Sequence, residues 1–154
     1  MRRKDKEIVE REEMEAVLAK GHVLHLGMCA ANEPYVVPMN YGWKDGSVYV
    51  HCAPKGRKMD MLRANPTVCF VVLGGHAVRI EASGKACAFG MRYESVMGVG
   101  KAEEVLDRHE KEAAFACIVR QCTDAPFHLS ADGVDTTVVL RIRPVQLTGK
   151  RDAK

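Results

Sequence analysis

The feature that most restricts the fold is the run from His22 to Cys52, where three extended stretches are separated by two short turn signals. In HVLHLGMCA, Leu24, Leu26 and Met28 alternate with His25, Gly27 and Cys29, the period-two pattern of a strand with one apolar face. Ala31-Asn32-Glu33 marks a turn, PYVVPMNYGW is a second extended run, and Lys44-Asp45-Gly46 supplies an Asp-Gly hairpin turn. The return strand, SVYVHC, sets Val48 and Val50 against Tyr49 and His51. Connections this short predict antiparallel neighbours.

The flanking segments add helices and further strands. Arg11 to Lys20 places Met14, Val17 and Leu18 on one helical face, with glutamates toward its start and Gly21 at the C-terminal cap position. After Ala53-Pro54-Lys55-Gly56 the period changes, and Met59, Leu62 and Arg63 predict a helix stopped by Asn65-Pro66. TVCFVVL then reads as a strand, Gly74-Gly75 as a turn, and Val78 to Ala82 as a short strand. Met91 to Leu106 predicts a long strand in which Gly98 and Gly100 permit a bend. Asp107 is a candidate N-cap for a helix reaching Cys122, with Ala114, Phe115, Ile118, Val119 and Cys122 as its apolar stripe. A loop from Thr123 to Asp135 leads into TTVVLRIRPVQLTG, one last strand or a pair. Six or more strands with three short helices predict a mainly β fold, a closed or partly closed antiparallel β-barrel carrying helices at its ends.

Composition sets the boundaries of function. A chain of 154 residues, 47% hydrophobic, fits a single domain over residues 1–154. With 23 Lys and Arg against 20 Asp and Glu, the net charge is too mild to predict nucleic-acid binding without a clustered basic face. No apolar run approaches the roughly 18 residues of a membrane span, and the charged start lacks a signal-peptide core, so a cytoplasmic location is the expectation. Cys29, Cys52, Cys69, Cys87, Cys117 and Cys122 are scattered, with no Cys-x-x-Cys pair, and are expected to be small buried hydrophobes rather than disulfides or zinc ligands. His22, His25, His76, His109 and His128 show no metal-ligand spacing, so no metal site is expected.

The stretch most suggestive of chemistry is YVHCAPKGRKMDMLRANPTVCF, from Tyr49 to Phe70. A strand ends in a glycine-containing loop, and a helix begins with Lys55, Arg57 and Lys58 around its first turn. Free backbone N–H groups and a partial positive charge at such an end, with added cations, make an anion site suited to a phosphate monoester, although a solvated basic turn has the same composition. The Walker pattern is absent, because Ser95 stands where Gly100-Lys101 would need its first glycine.

PYVVPMNYG, the Asp-Gly hairpin, YVHCAPKGRKMDMLRANPTVCF and RYESVMGVGKAEEV, in this order, closely resemble the flavin-binding split-barrel family related to pyridoxamine phosphate oxidase. Within it the chain is most similar to the Nim branch of nitroimidazole-resistance-like proteins, from about Arg2 to Lys150. The Val-Pro-Met-Asn-Tyr run, the His-x-Ala-x-x-Gly-x-Lys segment and the Tyr-Glu-Ser-Val strand are its most specific elements. The resemblance implies a homodimer with FMN at the subunit interface. Arg57 and Lys58 would hold the FMN phosphate with Lys55 nearby, and Pro38, Met39, Asn40 and Tyr41 would lie along the isoalloxazine. His51, Cys52 and Ala53 would line the path to the phosphate, and the second subunit would contribute Glu94, Ser95 and Val96. In the Nim branch a histidine in this region is associated with the active site, which makes His51 the candidate catalytic residue.

The activity implied is reduction of a small acceptor such as a nitroaromatic compound, with NADH or NADPH as candidate donor. A pyridoxamine phosphate oxidase-like activity and a flavin-binding or electron-transfer role without turnover are the alternatives. Thr136 to Lys154 has no counterpart of the arginine- and tryptophan-containing substrate motifs of authentic pyridoxamine phosphate oxidases.

Overall fold

The structure, a computed structural model, describes residues 3–80, 82 and 84–152. Its elements are β1 (Glu7–Ile8), α1 (Arg11–Lys20), β2 (Val23–Ala30), β3 (Glu33–Lys44), β4 (Ser47–Cys52), α2 (Arg57–Ala64), β5 (Thr67–Arg79), β6 (Gly90–Glu104), α3 (Arg108–Cys122), α4 (Ala131–Thr136) and β7 (Val138–Asp152). The strands pair antiparallel in the order β1-β7-β4-β3-β2-β5-β6, and a further pairing of β6 with β7 closes the sheet into a barrel. Closure removes the free edges that an open sheet exposes.

Alternation decides which side chains fill the barrel. Leu24, Leu26 and Met28 of β2, Val48, Val50 and Cys52 of β4, Val68, Phe70 and Val72 of β5, and Leu140 and Ile142 of β7 are buried together. Each large apolar side chain removed from water in this way contributes about 1.5–3 kcal/mol before conformational entropy is counted. Met14, Val17 and Leu18 bring α1 into the same core. Asp45 and Gly46 take positive φ values of 50° and 71°, the backbone of the tight hairpin that the Asp-Gly pair predicts.

The structure corrects several local expectations. Gly74-Gly75 is not a turn: β5 continues to Arg79, with a bulge between Leu73 and Gly75. A Cβ at position 74 would lie 2.9 Å from Val17 Cγ1, so the glycine serves close packing of α1 on the strand. The expected strand Val78 to Ala82 is in part the end of β5, and Glu81 lies outside the described residues. β1 and α4, the latter N-capped by Ser130, were not expected. β7 is one strand of 15 residues that pairs with β4 at its start and with β6 along most of its length. Among the described residues no helix is long and apolar enough to cross a membrane.

The cysteine expectation also changes. Among the described cysteines only Cys52 is buried; Cys117 is half-buried, and Cys29, Cys69 and Cys122 are exposed. Cys29 and Cys69 occupy outward positions in alternating strands, where an apolar sequence context does not imply burial. The Cys87 side chain lies outside what the structure describes.

Candidate functional site

The strand, loop and helix expected around the basic turn form as read. β4 ends at Cys52, four residues follow, and α2 starts at Arg57 with Gly56 as its N-cap. No side chain caps this helix end, so its first N–H groups are available to an anion. Arg63 Nη2 donates to the Pro54 carbonyl at 3.1 Å and ties the loop to its own helix.

The three cations around this turn differ sharply. Lys58 is half-buried, and its Nζ rests 3.5 Å from Met39 Sδ with no carboxylate paired to it among the described residues. Arg57 is turned away toward the start of β3, its guanidinium 4.6 Å from the Tyr35 ring centroid and 3.7 Å from a Glu33 oxygen. Lys55 is exposed. With no ion pair to break, the Lys58 ammonium is available to an arriving phosphate, with which it would form a charge-assisted hydrogen bond. The donor set therefore fits a phosphate-bearing cofactor, with Lys58 its best-placed side chain.

Next to this turn stands His51, facing outward from β4. Its ring centroid lies 5.6 Å from that of Phe115 on α3, with the rings tilted by 41°. Burial, and secondarily the charge of Lys58, push the imidazole below its ordinary pKa, since both disfavour the charged form. Cys52 points into the barrel, where its Sγ contacts Met59 Sδ at 3.6 Å. Burial raises that thiol's pKa, outweighing the opposing influence of Lys58, which argues against a thiolate nucleophile. Ala53 is exposed on the loop.

Along β3, Pro38 and Asn40 face outward while Met39 and Tyr41 are buried. Asn40 Nδ2 donates to Cys122 Sγ at 3.2 Å. The Tyr41 hydroxyl donates to the Leu18 carbonyl, and burial raises its pKa. Its ring is thus a core group, and only its main chain is open to a bound molecule. Glu94, Ser95 and Val96 lie elsewhere in the same chain. Ser95 pairs with Lys150 and His51 with Val139, eleven residues apart along β7, or on the order of 35 Å of strand. Glu94 is held by Arg151 at 2.7 Å and Lys20 at 3.4 Å, Ser95 Oγ lies 3.5 Å from the Lys150 carbonyl, and Val96 is in the core.

The model of the pyridoxamine 5'-phosphate oxidase family matches residues 10–151. The chain belongs to that family. A Bacteroides thetaiotaomicron structure, of a protein whose name links it to 5-nitroimidazole antibiotic resistance, is 32% identical, covers 94% of this chain and 85% of its own, and superposes with a TM-score of 0.82. A structure of an FAD-binding protein from Mesorhizobium loti is 26% identical, with a TM-score of 0.68 and coverage of 94% and 96%. An uncharacterised Rhizobium meliloti protein is 36% identical over 61 residues, a match that spans 40% of each chain. The barrel is accordingly the split barrel of this family.

Phe115 and Cys122 are the site residues that the sequence did not reveal. Their stripe on α3 carries the signature of core packing, and nothing in its spacing shows that two members reach His51 and Asn40. Among the described residues no group of three or more His, Cys, Asp or Glu side chains is arranged to hold a metal ion.

Proposed function

We propose that this protein is an FMN-dependent oxidoreductase of the Nim-like type that reduces a small acceptor such as a nitroaromatic compound. The observation that carries the reading is Lys58: a half-buried lysine with no carboxylate paired to it among the described residues, beside an uncapped helix start and next to an outward histidine and the outward residues Pro38 and Asn40 of β3. Lys58 and the first N–H groups of α2 hold the phosphate. Arg57 joins them by leaving Glu33, a pair that is exposed and therefore weak. Pro38 and Asn40 with the main chain of Met39 and Tyr41 line the ring, while His51, Cys52 and Ala53 border the path between ring and phosphate. Flavin held there supplies the electron transfer, which no side chain of this chain can perform. His51 stays neutral near pH 7 and offers the acceptor one hydrogen-bond donor and one lone pair, the equipment for orienting it or delivering a proton.

The site is completed by a second copy. The outer face of the barrel away from α3 carries two rows that are apolar apart from His25: Val36, Gly27, Cys69 and Val99 in one register, and Pro38, His25, Val71 and Met97 in the next. Val36 is 61% exposed and Met97 57%. The rows end in Gln146 and Thr148 on β7, so an apolar centre meets a polar rim, the layout of a protein interface. Pro38 belongs both to this face and to the ring lining. A homodimer through the face therefore sets the partner's surface beside the ring, where Glu94, Ser95 and the main chain of Val96 of the second copy are the proposed contributors.

The absorption spectrum of the purified protein tests the cofactor, and anaerobic reduction by NADH or NADPH followed by a panel of nitroaromatic acceptors tests the activity. A flavin spectrum with reoxidation by a nitroaromatic is expected. Bound flavin that no acceptor reoxidises would leave a flavin-binding protein without turnover, and oxidation of pyridoxamine phosphate in its place would select that alternative.

A further inference from the structure

Phe115 does more than fill space between α3 and the barrel. Its ring is half-buried, packed in a small cluster with Val105, Ala114, Val139 and Tyr49, and Val139 is the register partner of His51. One side of the imidazole is therefore walled by a ring that cannot easily withdraw.

The helix that carries this ring is itself fixed. The two N–H donors of Gln121 Nε2 are shared among the carbonyls of Leu18, Ala19 and Gly21 at 2.9, 3.0 and 2.7 Å, and its Oε1 faces the Trp43 N–H at 3.4 Å. A Cβ at Gly42 would lie 2.5 Å from Cys117 Sγ, so α3 sits directly on the β3 backbone. At the opposite end Glu110 is bound by Arg141 at 2.6 Å and approached by the Tyr49 hydroxyl at 3.3 Å. α3 is pinned on both sides of Phe115.

We propose that Phe115 is a positioning residue for His51: carried on α3, it fixes the orientation of the imidazole and shields one face from water. This rests on the reading of His51 as the group that meets the acceptor. The charged groups around the imidazole are few. Lys58 on α2 acts on it, whereas Glu110 of α3 and Arg141 of β7 are occupied with each other, and Tyr49 on its own strand is turned to Glu110. Because both burial and Lys58 hold the proton off His51, opening the Phe115 side removes one of the two causes and leaves the other.

The test uses the full chain. Imidazole resonances of His51 are followed through a pH titration of flavin-free protein in the parent, Phe115→Ala and Phe115→Tyr, and turnover and FMN affinity are measured on the loaded proteins. The alanine variant is expected to titrate closer to the ordinary histidine value of about 6.5, to lose roughly tenfold in kcat, and to bind FMN within about twofold of the parent. Tyrosine is expected to restore both the titration and kcat. Unchanged titration and kcat in a folded Phe115→Ala protein would overturn the positioning role while leaving the flavin reading intact. Should the alanine variant fail to fold, absence of a nuclear Overhauser contact between the two rings in the parent would overturn it equally. Loss of the His51 reading is separately visible, as a His51→Ala protein that keeps parental turnover.

Discussion

The two outer faces of this barrel are treated in opposite ways. Across β3 and β4 the outside is covered by α3, which brings Gln121 to the main chain, Glu110 to Arg141 and Phe115 to His51. Across β2, β5 and β6 nothing among the described residues covers Met97 and Val99, and Val99 is still 38% exposed and Met97 more so. The strands of that bare region bury their inward residues as fully as the covered ones, although β5 is bulged between Leu73 and Gly75 and the β6–β7 pairing shifts at Val99. The difference is therefore a matter of which outward residues were selected. A covered face needs polar groups that satisfy its helix, whereas an apolar face bounded by Gln146 and Thr148 needs another surface. Pro38 and Asn40 lie where the two regimes meet, and there the proposed ring site falls.

The largest expected effect comes from charging the bare face. Met97→Asp puts a carboxylate in the row shared with Val71, His25 and Pro38. In a dimer this buries an unpaired charge, which costs several kcal/mol and weakens association by roughly a thousandfold or more. Sedimentation at micromolar concentration should show a folded monomer with poor flavin retention. A dimer of parental affinity would break the comparison by placing the interface elsewhere. Leu106, 85% exposed in the connection between β6 and α3, is the internal control: Leu106→Lys should leave association unchanged.

Removing the anchor of the covered face should be milder and of a different kind. Gln121→Ala removes this side chain from the Ala19 and Gly21 carbonyls at the end of α1 and from the Trp43 N–H, while the Leu18 carbonyl keeps the Tyr41 hydroxyl. Part of that loss is recovered by water, so a cost of about 1–3 kcal/mol is expected, read as a lower melting temperature with the dimer preserved. Equal melting temperatures would show that α3 is held by apolar contact alone.

The pH dependence that His51 contributes is smaller still. Its pKa is lower in the folded chain than the ordinary value, so as pH falls below about 6.5 the unfolded chain takes up the proton first and stability declines. The ring faces outward and is partly open to solvent, which screens the influence of Lys58 and keeps the decline shallow. His51→Gln should therefore flatten the melting temperature slightly in that window. A slope identical to the parent would assign the dependence to other groups.

Much of the fold was legible because one-residue alternation and short turns leave little freedom. Leu24, Leu26 and Met28 face inward as read, and Asp107 does cap α3, accepting from the Glu110 N–H at 2.8 Å. What failed were residues whose local meaning depends on distant neighbours. Gly74 looks like a turn until Val17 is seen against it, and Cys69 looks like core until its strand is placed with that side outward. At the site, the basic turn follows from strand and helix boundaries, whereas His51 is singled out by the family resemblance. The retreat of Arg57 to Tyr35 and the reach of Phe115 follow only from the tertiary path of β3 and α3.

The central claim is that Lys58 at the start of α2 binds the flavin phosphate. The most direct measurement is an FMN titration of flavin-free protein, parent beside Lys58→Ala, with a ligand-free thermal melt of each. Loss of one charge-assisted hydrogen bond worth about 1.5–3 kcal/mol predicts roughly tenfold to hundredfold weaker FMN binding in the variant, at an unchanged melting temperature. FMN affinity equal to the parent's in a folded Lys58→Ala protein would contradict the account and move the phosphate site away from this turn.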